Sequence, residues 1–273
     1  MHRLLFVMLA ILSALAPVSA APTEAILIVT GDQHSAYERT AQFVAHIDRV
    51  RGENPGVPLA VLINGDTFEL GNVVAERSGG AVEFAMFAAL ARRAPTVVNL
   101  GNHEPEFYDP AATVERIRAT GATVIGNLAE RGTGQLFAPA STRLRLGEHE
   151  IAIAGLTTDM LSQYRAAVRP TLDLAAPAAW AEKHFPTLLG DAPIAVVMSH
   201  AGLRNDRGVF AHVPKGSLYL GAHDHTQFVH RDEALVYVQS GAWNSHFSVV
   251  RLRAAGGRPV WDVEQVAISA ADP

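Results

Sequence analysis

The 273 residues suit one large domain or two small ones, and 49% of them are apolar, enough for a sizeable core. A net charge of −5 argues against a nucleic-acid polymer or an anionic membrane surface as partner. The absence of cysteine excludes a disulfide framework, a thiolate metal site and a lipidated cysteine.

The first 20 residues stand apart. Met1-His2-Arg3 carries a positive charge, residues 4–16 are apolar except at Ser13, and Pro17-Val18-Ser19-Ala20 supplies small residues ahead of Ala21. This is the three-part layout of a secretory signal peptide, and its apolar run is short for a bilayer span. Cleavage after Ala20 is expected, with export to a bacterial periplasm or beyond and no membrane attachment afterwards. Residues 21–273 read as a single catalytic domain, with no internal repeat, low-complexity linker or convincing boundary to divide them.

The first strand is predicted at 26–29, followed by Phe43, Val44, Ile47 and Val50 at helical spacing within 36–51. Asn54-Pro55-Gly56 ends that helix. A second strand at 59–63 leads through a loop containing Gly71, Gly79 and Gly80 to an Ala-rich helix over 81–91. A third strand at 97–100 precedes a helix over 111–119, whose start Asp109-Pro110 marks. Short strands follow at 123–125, 142–146 and 150–154, then a helix over 178–189 after Pro177, and apolar strands at 194–198 and 218–220. The tail is nearly all β, at 235–239, 247–253 and 260–266. The amino half is βαβ-like and the carboxyl half meander-like. The expected class is α/β (α+β), a two-sheet β-sandwich flanked by helices.

Five polar islands each follow one of the apolar runs: Gly31-Asp32-Gln33-His34, Asn64-Gly65-Asp66, Gly101-Asn102-His103-Glu104, Ser199-His200 and His223-Asp224-His225. In open α/β sheets ligands bind outside the carboxyl ends of the strands, so the islands should meet at one edge. At an extended strand end, Asp32 and His34 two residues apart point to the same side and can ligate one ion together. Asn102 offers a neutral carbonyl oxygen, His103 an acid/base that titrates near neutrality, and His223 and His225 repeat the two-apart spacing. Hard and borderline ligands brought to one sheet edge point to a two-metal hydrolase.

Taken in order and type, Asp32-x-His34, Gly65-Asp66, Gly101-Asn102-His103-Glu104, His200 and Gly221-x-His223-x-His225 resemble the motifs of the calcineurin-like metallophosphoesterase superfamily over roughly residues 25–253. Asn-His-Glu-x-acid-Phe at 102–107 and Gln239-Ser240-Gly241 look most like the catalytic domain of bacterial periplasmic 5′-nucleotidases. The resemblance implies a four-layer architecture and a division of ligands. Asp32, His34 and His225 would hold one divalent ion, Asn102, His200 and His223 a second, and Asp66 would bridge them. Oxygen and imidazole ligands fit Mn, Fe, Zn, Co or Mg without choosing among them. The implied reaction is hydrolysis of a small phosphate monoester, of the nucleotide or sugar phosphate type, by attack of metal-bound hydroxide. His103 would donate to the phosphoryl oxygens and protonate the leaving alkoxide, and Glu106, where the nucleotidases have Asp, would orient its imidazole.

The chain departs from the nucleotidase pattern at Ser35 (usually Gly), at Phe68-Glu69-Leu70-Gly71 (usually Gln-Gly) and at Asp224 (usually Thr). It also ends soon after the catalytic domain, so base stacking by the nucleotidases' carboxyl-terminal domain is not expected. Arg204 and Arg207 can reach a second phosphate or a carboxylate. Trp243 and Asn244 follow Gly241 where family members place a loop near the metals, and both are candidate substrate contacts. His246, His212, His230 and His184 belong to no motif. Two alternatives stay within the resemblance, a phosphodiesterase or cyclic-nucleotide hydrolase and a thiosulfonate hydrolase of the sulfur-oxidation branch. A third is a non-catalytic metal-binding protein that kept the fold.

Overall fold

A computed structural model describes residues 22–255 and 258–272. The expected signal peptide, residues 1–20, lies outside the described residues. Among those described, fourteen strands and six helices follow in order: β1 Ala25–Thr30, α1 Thr40–Glu53, β2 Leu59–Asn64, α2 Val73–Ser78, α3 Ala81–Ala91, β3 Thr96–Asn99, α4 Pro110–Ala119, β4 Thr123–Ile125, β5 Ala129–Glu130, β6 Ser141–Leu146, β7 His149–Thr157, β8 Leu172–Asp173, α5 Pro177–Leu188, β9 Ile194–His200, α6 Leu203–Val209, β10 Ser217–Gly221, β11 Gln227–Arg231, β12 Leu235–Ser240, β13 His246–Ala255 and β14 Arg258–Ala267.

Strand alternation builds the layers. In β1, Ile26 and Ile28 face outward onto Phe43, Ile47, Phe87, Leu90 and Ile117 of α1, α3 and α4. Its other face, Ala25, Leu27 and Val29, meets Ile151, Ile153, Val196, Met198, Leu218 and Leu220 of a second sheet. The period of two in an apolar strand is therefore split between two cores, which is why these strands read as unbroken apolar runs. The second sheet turns Ala152, Val197 and Tyr219 outward onto Trp180 and Phe185 of α5 and Val209 of α6. The result is the expected helix–sheet–sheet–helix sandwich.

The first sheet runs β14-β13-β1-β2-β3-β4 and the second β11-β12-β10-β9-β7-β6. β1 to β4 are mutually parallel, as a βαβ amino half requires. The carboxyl half is not the meander that its short strands suggest. β7, β9, β10 and β12 are parallel neighbours, and only the edge strands β6 and β11 pair antiparallel. The difference comes from α6 and the turns after β9 and β10, which carry crossovers too short to show helical periodicity in the sequence. α2, six residues within the stretch expected as a loop, starts after Asn72, whose side-chain oxygen accepts from the Val74 and Ala75 amides.

Parallel strands in both sheets bring their carboxyl ends to one edge, where two buried asparagines tie the sheets together. Asn64 donates through Nδ2 to the carbonyls of Ser199 and Leu220, 3.0 Å each. Asn99 donates to Asn64 Oδ1 at 3.0 Å and to the Leu156 carbonyl at 2.9 Å. Buried Nδ2 donors satisfied in this way tie the strand ends of the two sheets together.

Candidate metal centre

All five polar islands converge at that edge, Ser199-His200 as the last two residues of β9 and the others chiefly in the turns that follow their strands. Asp32, His34, Ser35, Asp66, His223, His225, Trp243 and Asn244 have left-handed backbone with φ between 46° and 84°. Asp32 and His34 therefore share a side because a left-handed turn folds them together, correcting the expectation of an extended strand end. Backbone bonds lock the turns to one another: the Asp32, His34 and Ser35 amides donate to the Gly65, Asp66 and Thr67 carbonyls, 3.0 Å each. Gly65 has φ +76°, and a Cβ there would stand 2.5 Å from His200 Nδ1. Only glycine allows this approach. Glu104 is buried behind the turns and accepts from the amides of Gly101 (2.6 Å), Asp66 (2.9 Å) and Thr67 (3.0 Å).

Ligand atoms within 4.8 Å of one another form two sets with no residue in common, Asp32, His34 and His225, and Asp66, His200 and His223, while His103 joins His34 and Asp66 in a third group and Glu69 and Glu106 in a fourth. Asp66 stands between the sets, its Oδ2 being 2.9 Å from His200 Nε2 and 3.9 Å from His34 Nε2. Hydrogen bonds behind the rings decide what faces inward. His200 Nδ1 donates to the Asn64 carbonyl at 2.8 Å, and His34 Nδ1 donates to Glu69 Oε2 at 3.0 Å. Each thereby turns Nε2 toward the centre, and His34 Nε2 meets His225 Nε2 at 3.0 Å. Asn102 Oδ1 and His223 Nδ1 are buried with no hydrogen-bond partner among the described residues. The unpartnered Asn102 Oδ1 and His223 Nδ1 of the second set, and the carboxylate and imidazoles gathered in the first, fit a divalent cation in each. The donors are oxygen and imidazole nitrogen, as hard and borderline ions require.

The electrostatics agree. Burial pushes Asp32 up to about 7, with the Asp66 charge adding to it. Burial lowers His34 and His223 to about 4, keeping both imidazoles neutral. Burial also works against a charged His200, but Asp66 and Asp32 overcome it and hold that ring at about 10. Burial disfavours ionised Asp66 as well, yet His200 beside it holds the carboxyl below the usual range. A cation bound here would take over the role of the imidazolium proton.

His103 stands at the side of the two sets. Its Nδ1 is 2.7 Å from Glu106 Oε1 and its Nε2 is 4.0 Å from Asp66 Oδ2. Burial opposes its charge, but the Glu106 hydrogen bond and the charges of Asp66, Glu106 and Glu69 outweigh burial and raise it to about 9. His34, Asp66, Asn102, His103, His223, His225 and Trp243 line an open cavity of about 410 Å³. Trp243 is 50% exposed with its ring 4.7 Å from that of His225. Arg204 lines a neighbouring cavity, which Arg207 does not reach. Asn244 is not brought to the opening. It is buried, accepts from Gln33 Nε2 at 2.8 Å and lies against the Ala36 carbonyl and Thr40 on the far side of the first turn.

Sequence reading missed the work of two carboxylates and an amide. Glu104 closes the Gly-Asn-His-Glu motif, so the motif itself was its signal. Glu69 appeared only as a departure from a family pattern, and its bond to His34 depends on the fold. Gln163, whose carbonyl accepts from Asn102 Nδ2 at 3.3 Å, comes from a loop with no motif.

Residues 26–227 match the family model described as calcineurin-like phosphoesterase. No curated protein matches the chain. Among solved structures, the fold is similar to a 5′-nucleotidase precursor from Thermus thermophilus (TM-score 0.71, 20% identity, 89% of this chain and 54% of that one). It is also similar to a sulfate thiohydrolase from the same organism (TM-score 0.71, 14% identity, 91% and 57%). A dimetal phosphatase from Danio rerio is matched over its whole length (TM-score 0.58, 11% identity, 91% of this chain). The chain thus spans about half the length of the nucleotidase and the thiohydrolase.

Proposed function

This chain belongs to the calcineurin-like phosphoesterase family, and we propose that it is an exported, two-metal phosphomonoesterase acting on a small phosphate ester of the nucleotide or sugar phosphate type. Residues 21–273 would form one catalytic domain behind a leader cleaved after Ala20. The observation that carries this reading is the convergence of carboxylate, amide and imidazole ligand atoms on two adjoining points, one of them holding the partnerless Asn102 Oδ1 and His223 Nδ1, with Asp66 between them and His103 alongside.

In this reading Asp32, His34 and His225 would hold one ion and Asn102, His200 and His223 the other, with the Asp66 carboxylate available to either. Divalent cations held there would supply Lewis acidity to the phosphoryl group and make a water acidic enough to attack phosphorus near neutral pH. Glu69 and the Asn64 carbonyl fix the tautomers of His34 and His200, so that Nε2 is the ligand atom in each. His103 holds a proton at Nε2, facing the cavity, while Glu106 fixes Nδ1. That proton is positioned to pass to the ester oxygen as it leaves. Trp243 forms the wall of the cavity beside His225.

The test is to assay the purified protein on a chromogenic phosphomonoester and a phosphodiester with Mn, Zn, Mg or chelator, while counting ions per chain. Two ions per chain and chelator-sensitive monoester turnover are expected. A fully loaded protein that cleaves neither ester would refute the proposal, and a preference for the diester would reassign the substrate.

A further inference from the structure

A second cavity, about 400 Å³, opens beside the His223 side of the centre. It shares Gln163 and His223 with the metal-facing cavity, so one ligand can occupy both. Its size falls in the range of ligand pockets, roughly 300–1,000 Å³.

The lining mixes donors and acceptors that the fold leaves partly unused. The Arg204 guanidinium makes no hydrogen bond or ion pair among the described residues. Gln163 accepts from Thr158 Oγ1 through Oε1 at 3.1 Å, which leaves its Nε2 free to donate. Asp159 accepts from Asn205 Nδ2 through Oδ1 at 3.2 Å, and Asp224 accepts from the Leu203 amide through Oδ2. Each of those carboxylates keeps one oxygen available. With one cation against two carboxylates the lining is net negative, which disfavours a second phosphate or carboxylate, the ligand that an arginine alone would suggest. No Phe, Tyr or Trp ring among the described residues lines it, and its one ring, His223, belongs to the metal-facing set, so a nucleobase finds no dedicated aromatic face there. A neutral group that both donates and accepts hydrogen bonds at several points satisfies this set best.

We propose that this cavity is the specificity subsite for a polyhydroxylated leaving group, a sugar or polyol whose phosphate lies at the metal centre, with Arg204 and Asp159 reading its hydroxyls. The assignment rests on the phosphomonoesterase reading above and narrows it to the sugar phosphate type.

The experiment compares kcat/KM of the metal-loaded protein for a pentose or hexose phosphate and for p-nitrophenyl phosphate, whose leaving group has no hydroxyl to be read. Arg204→Ala and Asp159→Asn should each lower the sugar-to-aryl ratio of kcat/KM at least tenfold, with the change mostly in the sugar ester. An unchanged ratio in both variants overturns the subsite. So does a ratio that falls only for sugars bearing a second phosphate, which would make Arg204 an anion receptor. Wild-type inactivity on both esters, with metal bound, overturns the phosphoesterase reading itself and the subsite with it.

Discussion

Asp206 gives a stability test of the scaffold behind the centre. This carboxyl, on α6, is wholly buried and has no cationic partner among the described residues; instead it accepts from Ser199 Oγ (2.6 Å), Tyr219 OH (2.8 Å) and Tyr237 OH (2.6 Å). Ser199 immediately precedes His200, so the cluster anchors the strand end that delivers this imidazole. Burial raises the Asp206 carboxyl from 3.8 to about 6, and the three hydroxyl bonds only partly offset it. A raised acid means the folded protein keeps a proton that the unfolded chain has released. Stability must then fall as pH rises through the window from about 4 to about 6, and the lost contribution does not return above it. At about 1.4 kcal/mol per unit, the loss is about 3 kcal/mol. Asp206→Asn removes the titration while keeping the shape and an oxygen acceptor. Chemical denaturation of both proteins, in chelator, at about pH 4 and about pH 7.5 isolates the effect as a difference of differences. The variant should gain about 2.5 kcal/mol on the wild type between those two pH values, since part of the loss already lies below pH 4. Parallel pH profiles would mean that Asp206 titrates normally, and the burial argument would be wrong.

Two further outcomes test the centre itself. His103→Ala should lower kcat roughly 10²–10⁴-fold, the usual worth of a positioned acid, while ion content per chain stays at the wild-type value; loss of metal would move His103 into the ligand set. Glu69→Gln weakens the partner that orients His34, so affinity for one of the two ions should drop roughly 10–100-fold in a metal titration. If both ions bind as in the wild type, Glu69 has no part in holding His34.

The convergence of the islands was legible because an apolar run followed by Gly, Asp, Asn or His marks a buried strand that ends at a turn, and parallel strands share an edge. Ile26–Val29 and Leu59–Ile63 show this at its clearest, since both of their faces are buried. The carboxyl half was less legible. β9, β10 and β12 look alike whether they pair in a meander or through crossovers, because strand direction is set by connections such as α6, only seven residues long. Asn244 illustrates a second limit. Its neighbour Trp243 reaches the cavity, yet Asn244 turns inward to Gln33, and a single left-handed turn decides between the two directions. The mixed lining of the second cavity was likewise out of reach, since Asp159, Gln163, Arg204 and Asp224 meet only once β7, β9 and β10 have paired in the second sheet.

The left-handed turns say why ligands occupy these positions. Five of the eight non-glycine residues with positive φ, Asp32, His34, Asp66, His223 and His225, belong to the two cation-ready sets. Each such residue costs on the order of 1 kcal/mol, though Asp, Asn and His bear the region better than other side chains. Together that approaches the net stability of a whole domain, about 5–15 kcal/mol, so something in the fold must hold the turns. Glu104 does so from behind, by collecting three amides of the second and third turns. The Asp32 carboxylate does so from the front, accepting the His223 amide at 2.9 Å, while the Trp243 amide donates to the Asp32 carbonyl at 2.7 Å. The same carboxylate therefore serves the backbone of one turn and faces the cation position of another. Ligand geometry and loop conformation are one balance, set by the same backbone bonds.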